Sequence, residues 1–244
     1  MEMFIFTQHF YRVSWLHRKI MATINSINKL TQNLTVDPGV AGDAYIQHRR
    51  VSTPVFSMGV DDDAGDSFKI SHSAALGTSD VFIMTQNGER TLPLQSLFLA
   101  YLSTTVNNVT GDGTGYVVIY DTVIKDYGSD YNNATGVFTA PTTGRYYFNN
   151  NAYYLSGVTG GTHVLDRMAT SNGVYYGSAF PTNEILPGFY GYQNAVVING
   201  GIFCDMDAGD TAYMTIVGGG TGTSKVDDIY GGNCYTWFGG YLVC

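Results

Sequence analysis

The 244-residue chain carries 12 Lys and Arg against 20 Asp and Glu, a formal net charge of −8. From Phe98 onward only four basic residues (Lys125, Arg145, Arg167, Lys225) stand against eleven acidic ones, which excludes the cationic groove that displaces counterions from nucleic-acid phosphates. No apolar run reaches the length of about 18 residues that a membrane-spanning helix requires, so membrane insertion is not expected either.

Residues 1–20 place a basic cluster, His9, Arg12, His17, Arg18 and Lys19, after the apolar part, which is the reverse of a secretory signal. Met21 opens a stretch that reads as an ordinary protein start. We therefore expect Met21 to be the natural initiator and residues 1–20 an upstream extension, the competing reading being a short amphipathic anchor. Ile24, Ile27, Leu30 and Leu34 recur at spacings of three and four, which suits a short amphipathic or coiled-coil helix. Residues 21–54 are assigned to attachment or oligomerisation.

Residues 55–96 hold four short strand-like runs, at 56–60, 68–71, 81–84 and 91–94, separated by turns rich in Asp, Gly, Ser and Asn. That is too little core for an independent monomeric domain, so the expectation is a β-stranded shaft in which chains intertwine around one core. The wording around Asp66 to Ser71, Leu76-Gly77, Asp80 to Ile83 and Gly88 to Pro93 resembles the stem that precedes a C-terminal knob in bacteriophage tail fibres. Within it, Asp61, Asp63 and Asp66 are the weak candidates for a metal, because clustered carboxylates followed by Gly suit calcium. No Glu closes a twelve-residue loop and no helices flank it. A solvated acidic turn is the expected state, with calcium left open and no other cofactor implied.

Residues 131–148 pack two reversals between strand-like runs. Gly136 supplies a residue able to take φ > 0, and Pro141 with Gly144 marks a second turn, leaving Val137-Phe138 and Tyr146-Tyr147-Phe148 as strand material. Runs at 116–120 and 212–217 alternate as half-buried strands do. With Phe98 and Ala100 ahead of it, the Gly209-Asp210 turn, and the closing Phe238, Gly240 and Leu242, the stretch from Tyr131 to Phe148 resembles the signature of complement C1q-like globular heads, relatives of the tumour-necrosis-factor-like cytokines. The resemblance covers residues 97–244. It implies an all-β jelly-roll sandwich, assembled as a homotrimer and used for recognition, in which Phe98, Tyr131, Gly136, Phe138, Pro141, Gly144, Tyr146, Phe148, Gly209, Asp210, Phe238 and Gly240 serve as scaffold.

Seventeen of the nineteen tyrosines lie at or after Tyr101. Most suit half-buried strand faces, while exposed Tyr and Trp237 offer flat amphipathic contact surfaces. Cys204, Cys234 and Cys244 are too few and too irregular for a zinc motif or a disulfide framework, and buried free thiols are expected. The five histidines, His9, His17, His48, His72 and His163, never share metal-ligand spacing. The run from Gly218 to Lys225 is like a phosphate-binding loop, but Ser224 stands where Gly must precede Lys, so a Gly-rich loop between late strands is expected. Asn33, Asn108 and Asn133 begin sequons that arise readily in an Asn- and Thr-rich chain. A Gly-x-Ser-x-Gly nucleophile elbow is absent.

These readings point to a non-enzymatic trimeric virion fibre or adhesin whose head binds a host-surface glycan or protein, in contact with other virion proteins. Loops at 183–193 and 218–228 are the expected contact surfaces. The alternatives are a structural or decorative virion protein, or a secreted extracellular recognition protein.

Overall fold

Alternation along the strands sets the architecture. The computed structural model describes residues 36–39, 41–155, 161–181, 195–232 and 234–244. The expectations for residues 1–35 and for the loop at 183–193 lie outside the described residues.

The first strands are β1 (Ala44–Arg50), β2 (Thr53–Asp61), β3 (Ser67–Ser71), β4 (Asp80–Met84) and β5 (Arg90–Thr91), which pair in sequence order as one antiparallel sheet. Pairing thus extends upstream of residue 55 to Ala44. Register places Ile46, Met58, Ile70 and Phe82 opposite one another in a row across four strands, and Ala44, Val60, Phe68 and Met84 in a second row. These rows share a face of the sheet that no other strand covers among the described residues, and Ile46, Val60 and Met84 are each more than a third exposed.

The opposite face is polar. Ser57, Asp61, Ser67, Lys69 and Ser71 are buried there. Lys69 Nζ lies 2.7 Å from Asp61 Oδ2 and 3.1 Å from Asp80 Oδ2. The loop between β3 and β4 folds over this triad: Ser57 Oγ donates to the Ser73 carbonyl at 2.9 Å, Gln47 Nε2 donates to the Ala74 carbonyl, and Leu76 is buried. The expected solvated turn is therefore corrected at Asp61, which is 5% exposed because Lys69 draws it under the loop. Asp62 and Asp63 continue as a single 3-10 turn.

The head comprises β6 (Leu97–Tyr101), β7 (Val106–Thr110), β8 (Gly115–Val117), β9 (Thr122–Tyr127), β10 (Tyr131–Asn132), β11 (Val137–Thr139), β12 (Gly144–Leu155), β13 (His163–Thr170), β14 (Gly173–Phe180), β15 (Ala195–Met206), β16 (Thr211–Gly219), β17 (Asp227–Tyr230) and β18 (Trp237–Leu242). One sheet holds β9, β6, β18, β12 and β15, with β17 and β7 extending beyond β18 along the same edge of β12. The other holds β10, β11, β16, β13 and β14, with β8 also on β16. The two antiparallel sheets form a jelly-roll sandwich.

In β12, Tyr146, Phe148, Asn150, Ala152 and Tyr154 face the interior and their neighbours face out. Phe98 is the hub of the core. Its ring stacks on Tyr131 at 4.8 Å and on Phe138 at 5.0 Å, and meets Phe238 edge-on at 4.9 Å. Burial of each such ring stabilises the head by about 1.5–3 kcal/mol, and each aromatic pair adds about 0.5–1.5 kcal/mol. Tyr131 is also tied at its polar end, since its hydroxyl donates to the Tyr120 carbonyl and accepts from the Tyr120 amide, both at 3.2 Å. Gly240 is required by close approach, because a Cβ there would overlap the Phe148 ring. Gly136 takes φ 75° to close the turn between β10 and β11.

The remaining family-pattern residues hold the turns together. Tyr146 Oη donates to the Thr142 carbonyl at 2.7 Å across the reversal that contains Pro141, and Gly144 leaves room for the Cys244 backbone. Gly209 N donates to the Ala140 carbonyl at 2.8 Å, while the Asp210 carboxylate accepts from Asp207 N at 2.8 Å and Asn172 Nδ2 at 2.7 Å. The expectation of three buried thiols is corrected. Cys204 is buried on the inner side of β15, but Cys234 and Cys244 are exposed, one in the turn before β18 and one at the chain end.

Candidate functional site

The end of the sandwich far from the entry at Leu97 collects the loops after β7, before β13 and after β16. Their backbones are stitched together. Gly111 N and Gly113 N both donate to the Gly218 carbonyl, at 3.1 and 2.9 Å, Val226 N donates to Thr110 O at 3.0 Å, and Thr162 N donates to Gly219 O at 2.7 Å. Thr110 Oγ1 donates to Thr114 O at 2.7 Å and accepts from Gly218 N at 2.9 Å. Thr221 Oγ1 donates to Gly111 O at 2.6 Å.

Beneath these loops Asp227 is fully buried and accepts from the Tyr154 hydroxyl, whose pKa burial and this carboxylate push far above the ordinary tyrosine value. Gly218 must be small, because a Cβ there would overlap the Tyr154 hydroxyl oxygen. Asp228 Oδ1 accepts from Asn108 N at 2.7 Å, which fixes the neighbouring strand end. The loops therefore rest on a buried polar floor that holds their shape before any ligand arrives, which lowers the ordering cost of binding.

Asp112 projects from the apex. Its Oδ1 accepts from Thr114 Oγ1 at 2.6 Å and Thr114 N at 3.0 Å, and those bonds, with the charge of Lys225, hold its carboxyl below the usual aspartate range. The described part of the apex thus offers hydroxyls, amides, the carboxylates of Asp112 and Asp228 and the Lys225 ammonium, which are hydrogen-bonding groups suited to polar ligands.

The 218–228 segment lies at this end of the head, as a loop whose two ends belong to β16 and β17. Its partner at 110–115 was not singled out in the sequence, although Gly111-Asp112-Gly113-Thr114-Gly115 is a dense turn signal. Its approach to Gly218 depends on pairing across more than a hundred residues. Asp61, Asp63 and Asp66 are not brought together as a metal site. Asp61 is bound to Lys69, Asp66 accepts from Gln86 Nε2 at 3.1 Å, and no cluster of three metal-ligating side chains occurs among the described residues.

A second surface lies on the outward face of the sheet containing β12. Tyr147 packs on Phe203 at 4.8 Å and Tyr241 at 5.7 Å, while Tyr153, Tyr230 and Tyr235 cluster at 5.3–5.9 Å. Phe203 is 58% exposed, and Tyr235 and Tyr241 are 44% and 43% exposed. Two recesses also occur in the head. One, of about 40 Å³, lies over the buried Asp166 carboxylate, which accepts from Asn150 Nδ2 at 3.0 Å and from Ser178 N. It is large enough for a water molecule or small ion and no more. The other is an open groove at the entry end, where Arg145 and Asp205 close on each other in a bidentate pair.

Residues 98–243 match the C1q domain. The chain belongs to the C1q-domain family. Among solved structures, the C1q-family head is similar to the globular domain of zebrafish complement 1qA, with 18% identity over 62% of this chain and 98% of that one, at a TM-score of 0.41. It is also similar to murine APRIL, with 10% identity over 61% and 99% and a TM-score of 0.41. Eiger TNF from S. frugiperda matches with 13% identity over 62% and 94%, again at 0.41. No curated protein matches the chain.

Proposed function

We propose that this C1q-family protein is a non-enzymatic, homotrimeric adhesin of a virion fibre, whose apical loops bind a host-surface glycan or protein. The observation that carries the trimer is the outward aromatic face. Phe203, Tyr235 and Tyr241 remain exposed on the broad sheet, and monomeric proteins rarely leave such contiguous apolar surface bare. Packing of three heads through this face would bury those rings and cover the sheet's edges.

The apex then supplies recognition. Three weak hydrogen-bonding sites on one rigid knob gain on the order of 10²–10⁴-fold in avidity where receptors are spaced to match. The strand-built stem before the head, resembling that of tail fibres, supports the virion setting and contact with other virion proteins. The reading requires no cofactor.

Sedimentation of the full chain is expected to give three times the chain mass, and the purified protein is expected to reduce attachment of the particle to its host cells. A stable monomer would overturn the trimer. A trimer that assembles into particles without competing for attachment would assign the protein a structural role, and one released free by its source cell would place it outside the virion.

A further inference from the structure

The sheet β1–β5 is inside out for a single chain. Its own loop covers the face that holds Asp61, Lys69 and Ser71, whereas the cross-strand row Ile46, Met58, Ile70 and Phe82 faces away from that cover. A slip of one residue would exchange the two faces. Lys69 blocks that slip, because it is bound to Asp61 on β2 and Asp80 on β4 at once. The apolar rows are therefore held outward by the two Lys69 ion pairs, and among the described residues the sheet has no second layer against which to bury them.

We infer that this face is closed by the same face of two further copies of the chain, so that three sheets turn their apolar rows onto one axis and share a core. The inference rests on the homotrimer proposed above. Three features select a copy of this chain as the occupant. The face is mostly apolar and so can pack on itself: the row through Met58 carries no charge, and the row through Val60 is apolar up to the rim, where Arg90 on β5 lies opposite Met84. The sheet is also held close to the head: only residues 92–96 separate β5 from β6, and there Gln95 Nε2 donates to the Leu242 carbonyl and Ser96 Oγ donates to Asp130 Oδ2 at 2.7 Å. A trimer of heads thus brings three sheets together at an effective concentration in the millimolar range. Finally, apolar exposure continues along the connection, with Leu92 50% and Leu94 59% exposed, into the outward face of the head at Tyr241, which pairs with Leu97.

The packing is face to face. The strands of each sheet find their partners within one chain, so in this arrangement the sheets associate preformed.

The test is site-directed cross-linking of the full chain carrying Cys234→Ser and Cys244→Ser. Cys204 stays in place, since burial pushes its thiol up to about 11 and keeps it protonated at neutral pH. Met58→Cys on the apolar face, Gln47→Cys on the polar face and Tyr241→Cys on the head are each treated with a short bismaleimide. Met58→Cys and Tyr241→Cys are expected to convert most of the protein to linked chains, and Gln47→Cys to leave it as single chains. Linking at Tyr241→Cys without linking at Met58→Cys would overturn the inference and leave the trimer standing, as would occur if residues 21–34 covered the face. Equal linking from Met58→Cys and Gln47→Cys would overturn it as well. Linking from no position, with a monomeric mass, would remove the trimer and this inference together.

Discussion

The head and the stem sheet solve the same problem in opposite ways. In the head, alternation sends Phe98, Phe138, Phe148 and Phe238 inward between two sheets, so one chain makes a complete core. In the stem, alternation is just as regular but buries Ser57, Lys69 and Ser71, while Phe68, Ile70 and Phe82 lie on the other side. Strand patterning fixes which residues share a face. Whether that face is a core depends on what stands opposite it, and in the stem no other strand among the described residues does.

The largest single effect is expected where the head's self-sufficiency resides. Phe98→Ala removes the ring that touches Tyr131, Phe138, Phe148 and Phe238, and should cost about 3–5 kcal/mol in chemical denaturation. A cost below about 1 kcal/mol would mean that the head's core, too, is incomplete without its neighbours. In the stem the sensitive position is a charge. Lys69→Met leaves Asp61 and Asp80 together without a cation, which should cost about 3 kcal/mol, read as faster hydrogen exchange in β2–β4. Adding Asp61→Leu and Asp80→Leu should restore most of the loss, because a well-packed apolar replacement relieves the buried charges. Failure of that rescue would show that the triad sets the register, and not merely that it must be neutral.

Local signals made the head legible. Gly136, Pro141, Gly144 and the Gly209-Asp210 turn declare reversals within a few residues of themselves, and the aromatics between them could only be strands. The stem was legible as strands but not as a structure with two faces. Asp61 sits beside Asp62 and Asp63 in sequence, so it reads as part of a hydrated turn, and only the register that sets Gly59 opposite Lys69 brings it under the loop. β1 was missed because Gln47, His48, Arg49 and Arg50 carry no apolar alternation, and its strand character comes from pairing with β2. At the apex, the loop at 218–228 was found by its glycines, whereas its support by Asp227 and Tyr154 depends on contacts between distant strands.

The smallest expected effect is a difference in acid response. Burial alone would raise the Asp80 pKa, but hydrogen bonds from Ser71, Lys69 and Gly77, with the Lys69 charge, bring it below the ordinary aspartate value. A folded-state value lower than the unfolded one contributes stability that is complete above about pH 4 and is lost as pH falls through the folded value. Burial likewise would lower the Lys69 pKa, yet its bonds to Asp61 and Asp80 raise it, so that contribution is complete below about pH 10 and fades above it. In the head, Asp130 behaves in the reverse sense: burial raises its pKa, and acidification relieves the cost of its charge. The lowered head carboxylates Asp112, Asp121, Asp205 and Asp210 are all reached by solvent, which screens their contribution. Hydrogen exchange followed from pH 6 to pH 3 should therefore loosen β2–β4 before β12 and β16. If protection in the head falls first, the ion triad is not what holds the stem's apolar face outward.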